Sequence, residues 1–177
     1  IMRILGDMHR ALGAASYSAL GLGASAKTTE VRANAAEALA SLADRGMADT
    51  ALFAEELCWL LGQHHVMAQR IEQTFRDAAS ISPLAGWRIM QVLEGILPAV
   101  GEVNRGGTLV QLLAQLAGEY GVSIEIPEVL RPKMKGSTVL AKSLRALEKL
   151  QPHPTELAEQ ARDQAQELLD QHRCAQP

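Results

Sequence analysis

A chain of 177 residues is long enough for one domain with a sizeable core, and 47 % hydrophobic with 21 % charged residues excludes a disordered polymer. Aromatics make up only 3 %, which leaves Leu, Ala, Val, Ile and Met to build the core and favours helix packing over sheet. A net charge of −3 gives no global attraction to nucleic acid or an anionic membrane, so either would need a local patch.

In chain order, residues 2–22 space Leu5, Met8, Leu12, Ala15 and Ala19 as one helical face, with an end expected after Gly21 and Gly23. The weakly polar run 11–26 is broken by glycines, falls short of the ~20 apolar residues of a membrane span and lacks a signal-peptide core. No membrane association and a cytoplasmic location are therefore expected. Cys58 and Cys174 lack the spacing of a disulfide or metal framework, which fits a reduced compartment. Ile1 precedes Met2, which leaves open a fragment of a longer chain or a residue added ahead of its start.

Thr28 or Thr29 caps a second helix, Glu30 favours its positive end, Val31, Ala35, Ala38, Leu39 and Leu42 form its stripe, and Gly46 is placed to stop it. A third helix is expected from Asp49 or Thr50 to residue 79, with Phe53, Leu57, Leu60, His64, Met67, Ile71 and Phe75 on one seam and a bend or split at Gly62. On that seam His64 reads as a hydrogen-bonded core histidine. Ser82-Pro83 opens a fourth helix, whose Trp87, Ile89, Met90, Val92, Leu93, Ile96 and Leu97 make it apolar on most sides and the candidate central helix. Pro98 is expected to kink or end it near Ile96.

Arg105-Gly106-Gly107 makes a turn, Thr108 is the expected cap, and Leu109, Leu112, Leu113, Leu116 and Tyr120 form the next stripe, closed by Gly121. Val122, Ile124 and Ile126 alternate with polar residues, as a short strand or an extended segment lying on the bundle would. Beyond a linker at 127–136, Leu140, Leu144, Leu147 and Leu150 mark a sixth helix. After the Pro152-His153-Pro154 break, Leu157, Ala161, Ala165 and Leu168 mark a seventh. The expected fold is all-α, a compact bundle of about six to seven helices. Residues 1–130 form its helical core domain, and 131–177 supply a basic linker and a C-terminal helical hairpin packed on the core or on a partner.

Glu55, Glu56, His64 and His65 share the third helical pattern, but the carboxylates stand too far from the histidines for the i, i+3 or i, i+4 spacing that one helix face needs to hold a metal. The Glu55-Glu56 start is similar to helical nucleotide pyrophosphohydrolases, whose magnesium site needs Glu-x-x-Asp. Trp59 stands where that aspartate belongs, which removes the reading. Gly21-Leu22-Gly23 and Arg105-Gly106-Gly107 lack the lysine or strand-turn-helix context of a phosphate loop, and Ser16, Ser18 and Ser80 have no nucleophile elbow around them. No cofactor or metal is expected. Residues 30–42, Glu-Val-Arg-Ala-Asn-Ala-Ala-Glu-Ala-Leu-Ala-Ser-Leu, resemble the second helix of a HEAT-type repeat, a family of helical protein-interaction scaffolds. The pattern recurs neither at 68–75 nor at 109–116, so an ordinary Ala-rich amphipathic helix is the reading kept.

Charge is distributed unevenly late in the chain. Arg131, Lys133, Lys135, Lys142, Arg145 and Lys149 face only Glu148 within 131–149, leaving +5 there and −8 elsewhere. Such a segment suits phosphates or an acidic partner, or else it is the solvated face of a helix whose leucines point inward. The leading functional expectation is a non-enzymatic interaction or assembly module, with a protein partner or self-association through the narrow Leu157, Ala161, Ala165 and Leu168 seam. A nucleic-acid-associated subunit using the basic segment is the alternative, and an enzyme comes third.

Overall fold

The computed structural model describes residues 17–44 and 50–174, and among them all regular structure is helical. Residues 17–24 form the described part of α1. They are followed by α2 (Thr29–Asp44), α3 (Thr50–Gln63), α4 (His65–Ala79), α5 (Pro83–Val100), α6 (Gly107–Tyr120), α7 (Val139–Glu148) and α8 (Glu156–Cys174). Two 3-10 helices, Asn104–Gly106 and Glu128–Met134, complete the described elements. The all-α class stands, while the expected count of six to seven is too low: from α2 onward nine helical elements are present among the described residues. The excess arises where a long seam divides at His64, and where a turn and a linker each wind into 3-10 helix. The expected positions Leu5, Met8, Leu12 and Ala15, and the stop at Gly46, lie outside the described residues.

Helix α5 is the axis because its sequence is apolar on most sides. It packs against α2, α3, α4, α6 and α8, and buries Ile89, Met90, Val92, Leu93, Ile96, Leu97 and Val100. Ser82 caps it, accepting a hydrogen bond from the Ala85 amide at 3.0 Å, and Pro83 takes the first position, where a missing amide costs nothing. Pro98 does not end the helix, which continues to Val100. Pro98 and Glu94 both lie on the exposed side, so the carbonyl that loses its partner faces water.

The Phe53 to Phe75 seam spans two helices. His64 is neither helical nor buried: its extended backbone separates α3 from α4, and its Nδ1 accepts from the Val66 amide at 3.1 Å. The core-histidine expectation is therefore corrected to an exposed N-cap, and the split falls two residues beyond Gly62. On α2 the buried face is Ala35, Ala36, Leu39, Ala40 and Ala43, a rotation from the expected stripe that leaves Val31 and Ala38 exposed. Ala19 on α1 is exposed too.

Thr108 is not a cap. Helix α6 begins at Gly107 after Gly106, and the Thr108 hydroxyl lies buried in the first turn without a hydrogen-bond partner. Gly121 ends α6 in the left-handed region at φ 66°, and its carbonyl accepts from the His153 amide at 2.9 Å. A Cβ there would sit 1.9 Å from the His153 carbonyl oxygen, so only glycine permits this crossing of the chain. The 122–127 segment forms no strand and lies on the bundle without regular structure, burying Ile124 and Ile126. Leu140, Leu144, Leu147 and Ala161 join the same core as α5 and α6, with α7 against α6 and α8 against α5.

Candidate functional site

The basic segment divides into two groups. Arg131 pairs with Glu128 at 2.8 Å and reaches Glu148 at 3.7 Å. Lys133 Nζ donates to the carbonyls of Glu102 at 2.9 Å and Gly101 at 3.4 Å, closing the open C-terminal end of α5. Arg145 donates to the carbonyls of Met134 and Gly136, tying α7 to the loop before it. These three cations hold the 128–136 segment in place, with Leu130 buried beneath it. Lys135, Lys142 and Lys149 are exposed, and among the described residues none has a side-chain hydrogen bond or ion pair. Lys142 and Lys149 lie two turns apart on one face of the α7 region.

The seam on α8 also divides. Ala161 is buried and Leu157 and Ala165 are half-buried against the body, whereas Leu168 is 43 % exposed. Thr155 opens the helix, its hydroxyl accepting from the Ala158 amide at 3.2 Å. Gln164 Oε1 accepts from the Leu84 amide at 3.0 Å, so α8 supplies a cap to the first turn of α5. From Gln166 to Cys174 every residue is exposed, including Leu169 at 55 %. Sequence reasoning missed Leu169 as part of the face. The signal was present in the Leu168-Leu169 pair, since a narrow seam cannot bury two adjacent leucines equally.

The remaining polar candidates do not converge. His64 is occupied as a cap, and Glu55 and His65 point to solvent. Among the described residues no group of three or more His, Cys, Asp or Glu side chains is placed to hold a metal ion. Burial first, then the charges of Glu102 and Glu55, push the Cys58 thiol up, which keeps it protonated and a poor nucleophile. Among the described residues no helix is long and apolar enough to cross a membrane. No protein-family model, curated protein or solved structure matches the chain, so its functional reading rests on its own residues.

Proposed function

We propose that the chain is a non-enzymatic α-helical interaction or assembly module whose docking element is the uncovered end of α8. The observation that carries this reading is the exposed pair Leu168 and Leu169 on a helix end where every residue of 166–174 faces water. Isolated helices below about 12–15 residues are marginal in water, so such an end gains most from a partner that covers its apolar side.

A second copy of the chain is the proposed occupant. At roughly 100° per residue, Ala165, Leu168, Leu169 and His172 share one face of α8, and Glu167 and Asp170 fall on the opposite side. Two copies crossing antiparallel about a two-fold axis would cover each other's leucines without bringing those carboxylates together. Sedimentation equilibrium over a concentration series tests this. The mass should climb from 19.1 kDa toward a dimer for the native chain and stay at the monomer for Leu168→Glu/Leu169→Glu. A native chain that remains monomeric, or a dimer that survives the double substitution, overturns the reading.

Phosphate contact is the second reading, and it rests on the three exposed lysines that hold nothing within the fold. Replacing Lys135, Lys142 and Lys149 together with Ala should abolish any nucleic-acid binding and its salt dependence while leaving helicity unchanged. Binding that survives this triple substitution would exclude these lysines as the contact.

A further inference from the structure

A groove of about 220 Å³ runs between the first turns of α5 and the facing side of α8. Trp87 and Arg88 line it from α5, Arg162 lines it from α8, and the methyl groups of Ala158, Ala161 and Ala165 form its floor. The groove is open because, apart from Arg162, α8 presents alanines here, too short to fill the space beside the α5 side chains. Its aromatic wall is held in place: the Trp87 ring packs edge-on against Tyr120, with centroids 5.6 Å apart at 74°.

The charge in this groove is unbalanced. Among the described residues neither Arg88 nor Arg162 forms an ion pair, and no carboxylate lines the groove. The Arg88 guanidinium makes a single long hydrogen bond, from Nη1 to Gln91 Oε1 at 3.4 Å, and its Nε is buried without any acceptor. An unmet buried donor is costly, and turning the side chain into the groove would bring Nε and Nη2 together as the fork that grips a carboxylate. The α5 amides are not the attraction, because Gln164 and Ser82 already satisfy those of Leu84 and Ala85.

We infer that the α5–α8 groove binds a small monocarboxylate with a short apolar body, its charge held by Arg88 and Arg162 and its body seated between Trp87 and the alanine floor. The Arg88 fork matches the two oxygens of a carboxylate, and the Trp87 and alanine lining suits an apolar body attached to it. This site adjoins the proposed self-association face at Ala165 alone and does not depend on it, since Trp87, Arg88 and Arg162 lie outside that face.

The test uses the full chain with Trp59→Phe, which leaves Trp87 as its only tryptophan. Its fluorescence is titrated with hexanoate and, separately, with neutral hexanamide at low ionic strength. Hexanoate should give a saturable change that hexanamide does not. Arg88→Gln and Arg162→Gln should each weaken binding by about tenfold or more, as loss of a charge-assisted pair does. Arg162 is exposed, so its substitution tests the site even if the Arg88 variant folds poorly. No saturable change with hexanoate, equal binding of hexanamide, or full binding in the Arg162 variant would overturn the proposal.

Discussion

The side-chain oxygen of Gln164 accepts the amide proton of Leu84 at 3.0 Å, across a sequence separation of 80 residues. Helix α8 thereby closes the open first turn of the helix on which the whole core is built. Gln164→Ala removes the acceptor and leaves a partly buried amide unmet, so unfolding in urea should show a loss of about 1–2 kcal/mol. Gln164→Glu keeps an acceptor and should retain most of the stability. A loss below about 0.3 kcal/mol in the Ala variant would show that water replaces Gln164 freely.

Leu93 lies at the centre of α5, 3 % exposed. Leu93→Ala should cost about 2–5 kcal/mol by the same measurement, through lost burial and the cavity left behind. A loss under about 1 kcal/mol would mean that the core around α5 collapses to fill the space.

Tyr120 couples stability to alkaline pH. Its hydroxyl donates to the Pro83 carbonyl at 2.5 Å, and a Cβ on Gly86 would fall 2.2 Å from the Tyr120 hydroxyl oxygen, so Gly86 makes the approach possible. Burial, then the charge of Glu119, push the phenol from 10.0 to about 12. The folded state thus keeps a proton that the unfolded chain gives up. The associated stability is fully present below pH 10 and is lost as pH rises toward about 12. Urea midpoints across that range should fall more steeply for the native chain than for Tyr120→Phe, and parallel slopes would contradict the assignment.

His64 offers a test of the α3–α4 junction. His64→Ala should cost about 1 kcal/mol, the usual value of an N-cap, and His64→Asn should restore it. A buried histidine would instead tolerate neither change.

The contrast between His64 and Ser82 shows what the sequence makes legible. Ser82-Pro83 and Gly121 announce a helix start and stop through local chemistry, and the apolar girth of 84–97 identifies the axis before any contact is known. His64 lies in register with Phe53 and Ile71, and periodicity alone does not register a one-residue break between two helices that each bury the same side. Charge along the chain raised Arg131, Lys133 and Arg145 as partner contacts, yet Lys133 reaches carbonyls 31 and 32 residues away, a pairing that only the folded chain creates. Pro98 was legible as a breaker but not as harmless, because the side it occupies depends on what packs around α5. Arg88 and Arg162, 74 positions apart, carry no sequence signal of meeting at one groove.

Hydrogen exchange resolved along α8 tests the central claim most directly, that this helix is covered by the body to Ala165 and bare beyond it. In dilute monomer, amides around Ala161 should be protected nearly as well as those of α5, and those of 166–174 should exchange fastest in the helix. Raising the concentration should slow exchange at 166–174 while leaving α5 unchanged, as expected if a second copy covers Leu168 and Leu169. Protection of 166–174 equal to that of Ala161 in dilute monomer, or no gain at any concentration, would contradict the account.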